Sequence, residues 1–157
     1  GQGVARGGQP RRTDRVLMAG AEKGGGDGAR ACFAAHGKER HVLAIESDFG
    51  ADRVWRVDFK LPHGNDALAG AIAAGLAPLG IGASSQPAGG GADIAPLVAA
   101  GVPVIDLQQD GTRYFDLHPT PDDTFDKIDP DQLRQNVAAW AVTLDAVANG
   151  PEIVGLN

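Results

Sequence analysis

At 157 residues the chain is of ordinary single-domain size and long enough to bury a core without staples. Hydrophobic residues make up 43% and charged residues 22%, the balance of a soluble globular protein, and the formal charge of −6 gives nucleic-acid binding no electrostatic support. The single cysteine, Cys32, excludes an internal disulfide and a Cys-rich zinc finger, and no run approaches the roughly 18 apolar residues of a membrane span.

In chain order, residues 1–13 (GQGVARGGQPRRT) have breakers and no periodicity and are expected as coil. The basic residues Arg6, Arg11, Arg12 and Arg15 read as a solvated patch. No basic, apolar leader is visible at the start, which leaves room for a longer precursor. Arg15–Ala19 (RVLMA) is short and apolar, as in a buried strand. Gly24–Gly28 is a loop, Ala29–His36 a helix stopped by Gly37, and His41–Glu46 (HVLAIE) a second strand.

Asp52–Lys60 alternates Val54, Arg56 and Asp58 against Trp55, Val57 and Phe59, a period-two strand expected at an edge with one face wet. Asn65–Leu79 is an amphipathic helix with Leu68, Ile72, Leu76 and Leu79 on one stripe. Ser84–Gly91 is a loop, Asp93–Ala100 a short helix, and Val102–Leu107 an apolar strand. Gln108–Lys127 is a long polar loop, and loops of that length in small domains are usually functional. Asp129 caps a helix that starts at Pro130 and stops at Gly150. Alternating strands and helices predict one α/β domain over 14–150, three layers with a mixed, mostly parallel sheet, and a C-terminal tail over 151–157.

Ligands of such sheets bind beyond the carboxyl ends of the strands. The segments expected there carry Glu22, Glu46, Asp48, Asp106, Asp110, Asp116, His118, Asp122 and Asp123. Several carboxylates with one imidazole have the composition of a hard-to-borderline metal site, although loop aspartates such as Asp122 and Asp123 also simply initiate turns. No Gly-x-Ser-x-Gly elbow supports a serine hydrolase, and Gly24–Gly28 lacks the Gly-Lys-Ser/Thr ending of a phosphate loop.

Four motifs follow in order: Ala44-Ile45-Glu46-Ser47-Asp48-Phe49-Gly50, Gly89-Gly90-Gly91-Ala92-Asp93-Ile94, Gly101-Val102-Pro103-Val104-Ile105-Asp106-Leu107, and Tyr114 through Thr124 (YFDLHPTPDDT). Together, from about Arg11 to Val147, they resemble the zinc-dependent exopeptidases related to carboxypeptidase Q and the bacterial aminopeptidases. The resemblance implies two zinc ions sharing a bridging aspartate and a water, with a glutamate as general base. It also implies a peptide or small-molecule substrate and a secreted or periplasmic location.

Carried over residue by residue, the resemblance makes Glu22 the general base and Asp48 a metal ligand. It puts Lys23 where a ligand glutamate is expected, Pro119 where a ligand histidine is expected, and Arg6 where the bridging aspartate is expected. His118, beside Pro119, is the candidate substitute ligand. An ammonium in place of a carboxylate removes a ligand and adds a repelling charge. The scaffold is therefore expected to be shortened at its start, with a degraded dizinc site, zinc weak or absent, and hydrolysis weak or absent. The alternative is a non-catalytic domain that binds peptides or self-associates through an exposed sheet edge.

Overall fold

The computed structural model describes residues 9–20, 22 and 24–156. Its helices are α1 (Asp27–His36), α2 (Asp66–Leu76), α3 (Ala95–Ala99), α4 (Tyr114–Leu117) and α5 (Pro130–Asn149). Its strands are β1 (Val54–Lys60), β2 (Gly82–Ala83) and β3 (Val104–Gln109), in the spatial order β2-β1-β3. The sheet is mixed, because β1 pairs in parallel with β2 and antiparallel with β3.

Residues 41–46, expected as a strand, contribute a single parallel bridge, Ala44 to Val104. Beside them β3 begins at Val104, since Pro103 has no N–H to give a ladder. It runs to Gln109, two residues past the expected end.

β1 is central among the described strands, which corrects the expected edge position. The register slips between Val54 and Arg56, which lie opposite Gln109 and Gln108, so Trp55 is an extra residue in a β-bulge. The bulge resets the alternation and brings Val54 onto the same face as Val57, where both are fully buried. Trp55 is thrown outward, half exposed, with the Arg56 guanidinium 4.8 Å from its ring centre.

The three layers follow from alternation on β3. Ile105 and Leu107 join Val54, Val57, Leu68, Ile72, Leu76 and Ala139 in the main core, between the sheet and the pair α2 and α5. Val104 points the other way, packing with Ala44, Ala88 and Ile94 in a smaller cluster under α3, against which α1 rests. Each fully buried Ile or Val stabilises the fold by about 1.5–3 kcal/mol before entropy is counted.

Helix α5 begins as the sequence requires: the Asp129 side chain accepts from the N–H groups of Asp131 and Gln132, at 2.8 and 3.2 Å, with Pro130 in the first turn. Gln135 then locks it to β1 by donating to Val54 O and accepting from Val54 N. The last residues belong to the same body. Ile153 is buried in the main core, and the buried Asn65 exchanges hydrogen bonds with the backbone of Val154.

The expected buried strand Arg15–Ala19 is absent. These residues form no element, and Val16 and Met18 are 84% and 92% exposed. Apolar composition did not make a strand there because no edge among the described residues supplies it with hydrogen bonds. The arginines just before it are not simply solvated. The Arg12 guanidinium donates to the carbonyls of Val147, Gly150 and Pro151, meeting groups that the last turn of α5 leaves unpaired.

Candidate functional site

Because Ala44 and Val104 are bridged in parallel, Glu46 and Asp106 leave the sheet side by side on the same face. Both carboxylates grip the loop before α3. Asp106 Oδ2 accepts from Gly89 N and Gly90 N at 2.7 and 3.1 Å, and Glu46 Oε2 accepts from Asp93 N and Ile94 N at 2.9 and 3.1 Å. Gly91 must lack a side chain, since a Cβ there would lie 2.2 Å from the Glu46 carboxyl carbon. The Gly-Gly-Gly-Ala-Asp-Ile motif is thus a turn shaped to two carboxylates.

Among the described residues, the second Glu46 oxygen, Oε1, and Asp93 Oδ1 are buried without a hydrogen-bond partner. Burial pushes the Glu46 carboxyl above its ordinary value. The Ile94 and Asp93 N–H groups pull against that shift, and the charges of Asp93 and Asp48 add to it.

Asp48 lies on the adjacent loop, exposed. That loop is fixed on both sides of it by Gln109, which is 7% exposed. The Gln109 amide donates to Ser47 Oγ at 2.9 Å and Gly50 O at 2.8 Å, and its oxygen accepts from Phe49 N at 3.2 Å. Sequence reading passed over Gln109. The signal was there, because Gln109 follows Ile105 and Leu107 on the core-facing parity of β3. Phe49 lies over Gly111, where an added Cβ would be 1.8 Å from the ring, and stacks on Tyr114 with centroids 4.3 Å apart.

The expected loop 108–127 is partly ordered as α4 and a 3-10 turn at Phe125–Lys127. His118 ends α4 in extended backbone. Its ring is 5.0 Å from that of Tyr114, and its Nδ1 is 3.5 Å from Asp123 Oδ2. Arg113 holds Asp52 with two nitrogens, at 2.6 and 3.1 Å, which raises the guanidinium above its ordinary value. Phe49, Asp52, Arg113, Tyr114, His118 and Asp123 line a cavity of about 100 Å³.

The nine acidic and imidazole groups expected at one sheet edge do not converge as one metal centre. Among the described residues no group of three or more His, Cys, Asp and Glu side chains is placed to hold a metal ion. Asp106 and Glu46 are used by backbone N–H groups, Asp110 by Thr112, and Asp123 by His118. Glu22 is in the turn before α1, where its carbonyl accepts from Gly25 N and Gly26 N at 3.0 Å. Arg6, Ala21 and Lys23 lie outside the described residues. The donor set in view, with Asp48 and His118 on separate loops and Pro119 next to His118, does not fit a zinc pair, which needs three or four protein donors per ion. Among the described residues no helix is long and apolar enough to cross a membrane.

Comparison with known proteins bears on the scaffold. The sequence pattern of Peptidase family M28 matches residues 2–144. Carboxypeptidase Q of Homo sapiens is 32% identical over 148 residues, covering 93% of this chain and 31% of that protein, and the Rattus norvegicus protein is 31% identical over the same shares. A crystal structure of a Peptidase M28 precursor from Shewanella amazonensis SB2B superposes with a TM-score of 0.83 at 39% identity, covering 95% of this chain and 34% of that one. The chain therefore spans about a third of the length of the relatives it matches.

Proposed function

The chain belongs to Peptidase family M28 and has its metallopeptidase-type α/β hydrolase scaffold; from that premise we propose that the paired-zinc site is degraded and that peptide hydrolysis by this chain is weak or absent. The observation that carries this reading is Pro119. It occupies the place of a ligand histidine in the Tyr114–Thr124 motif and offers no donor atom. His118 does not take over in the geometry described, since its Nδ1 faces Asp123. Asp48 stands in a well-held loop, and among the described residues no further His, Cys, Asp or Glu side chains join it in a group placed to hold a metal ion.

Zinc, when bound in this family, supplies Lewis acidity toward a peptide carbonyl and activates a water. This chain's described residues do less. Gln109 holds the Asp48 loop, Glu46 and Asp106 hold the 89–94 loop, and the aromatic rings shape a small cleft. Glu22, the base by motif, has no described metal centre to serve.

Turnover tests the reading. The purified chain, with and without added zinc, is given leucyl and alanyl p-nitroanilides and unblocked dipeptides. No chelator-sensitive hydrolysis above the uncatalysed rate is expected; zinc-dependent turnover abolished by chelator and by Glu22→Gln contradicts it.

A second reading, a non-catalytic peptide-binding domain, is supported by the stacked Phe49 and Tyr114 rings at the cleft and by Phe115, 74% exposed beside them. Dipeptide binding in the presence of chelator, lost on Tyr114→Ala, is its expected result.

A further inference from the structure

Helix α5 ends on Asn149-Gly150, an asparagine followed by the one residue with no side chain to shield its backbone nitrogen. In such a pair the glycine nitrogen can attack the asparagine amide carbon. Base takes the Gly150 N–H proton, and a C–N bond forms from Gly150 N to Asn149 Cγ. The Cγ–Nδ2 bond then breaks, with Nδ2 taking up a proton and leaving as ammonia. Water opens the resulting cyclic imide at either carbonyl, which leaves aspartate or isoaspartate at position 149. Water is the only co-reactant.

Each group that this chemistry must move is held in the structure. The attacking nitrogen, Gly150 N, donates to Ala146 O at 2.9 Å and so is tied into the last turn of α5. Asn149 Nδ2, the leaving group, donates to Asp145 Oδ1 at 2.8 Å, and Asn149 Oδ1 accepts from Arg11 N at 3.3 Å. On the far side of the glycine, its carbonyl accepts from the guanidinium groups of Arg11 and Arg12 at 3.3 and 3.2 Å. Arg12 also reaches the carbonyls of Val147 and Pro151, so one side chain clamps the backbone before and after the reactive pair. Ring closure needs Asn149 to leave its helical backbone angles, which this clamp opposes.

We propose that Asn149 is a latent deamidation site, kept unreacted by the last turn of α5 and by the Arg11–Arg12 crosstie, and released when the crosstie opens. The product works against the turn that guarded it. A carboxylate at 149 stands four residues from Asp145, where like charges repel, and at the negative end of the helix dipole. Releasing two or three hydrogen bonds before closure slows the folded chain by about 10-fold or more relative to the unfolded one. The inference does not rest on the metal reading, and chelator throughout the test keeps the two apart.

The test follows the full chain at mildly alkaline pH by peptide mapping and mass spectrometry, scoring acid in place of amide at position 149. Wild type is expected to react far more slowly folded than in guanidinium chloride. Folded Arg12→Ala is expected to react several-fold faster than wild type, and Arg134→Ala, which alters an arginine elsewhere on α5, at the wild-type rate. Ile105→Ala controls for general loss of stability. It is expected to react more slowly than Arg12→Ala even where urea unfolding shows it to be the less stable of the two. Equal rates for folded and denatured wild type overturn the proposal, as does Arg12→Ala reacting at the wild-type rate. An Ile105→Ala chain that reacts as fast as Arg12→Ala overturns it too, because unfolding of the whole chain would then set the rate.

Discussion

The carboxyl end of β3 and the stretch from Thr13 to Gly20 make an instructive pair. At the end of β3 each polar group has work: Gln109 brackets the Asp48 loop, Asp106 receives two glycine N–H groups, and Phe49 fills the space that Gly111 leaves open. Along 13–20 the side chains are those of a strand, yet Val16 and Met18 are exposed and, among the described residues, the backbone enters no backbone hydrogen bond. The difference lies in partners rather than hydrophobicity. An apolar run becomes a strand only beside an edge that completes its hydrogen bonds. The frame around Asp48 and the 89–94 loop is held for the same reason, by strand-end side chains and backbone.

The sharpest way to break this comparison is to truncate a side chain on each side of it. Ile105→Ala, in the packed sheet, is expected to cost about 2–5 kcal/mol. Met18→Ala should stay within about 0.5 kcal/mol, as for surface positions generally. Urea unfolding of dilute samples measures both, and comparable losses would mean that 15–19 is packed. Gln109→Ala removes three hydrogen bonds at one buried amide and should cost about 1–3 kcal/mol. Faster hydrogen exchange at the Phe49 amide is its local signature. Gly111→Ala forces a methyl against the Phe49 ring, an overpacking cost of about 1–3 kcal/mol, with the near-ultraviolet signal of the stacked Tyr114 altered.

The smallest effect is a pH dependence at the N-terminal side. Hydrogen bonds from His36, then from Arg15, hold the Glu39 carboxyl below its ordinary value of 4.5. A carboxyl lowered in the folded state contributes stability above its unfolded value and loses it as pH falls through the folded one. Acidification below about 4.5 should therefore release the Arg15–Glu39 tie, and Glu39→Gln should flatten that part of the unfolding-versus-pH curve. An unchanged curve would show that the tie contributes nothing.

Much of this arrangement could be read from residues. The stripe Leu68, Ile72 and Leu76 is the buried face of α2, and Asp129, Pro130 and Gly150 bound α5. The four family motifs do line the sheet end. What escaped reading depended on pairing between distant segments. The bulge at Trp55 exists only against Gln108 and Gln109, and it moved β1 out of simple alternation. Arg12 looked solvated because its carbonyl partners are contributed by the end of a helix more than a hundred residues later. At the site, Asp48 and His118 could be found by motif. Their separation onto loops held by Gln109 and by Tyr114 and Asp123 could not, since side-chain direction there is set by tertiary hydrogen bonds.

The central claim, a scaffold kept while its metal site is degraded, is tested most directly by zinc calorimetry. Wild type and the double variant Lys23→Glu/Pro119→His, which restores two ligand types in the motif positions, are titrated side by side. The expected result is less than one zinc bound weakly by wild type and affinity raised by about 10-fold or more in the variant, the scale on which even outer support of a ligand is felt. Two tightly bound zinc ions per wild-type chain would contradict it.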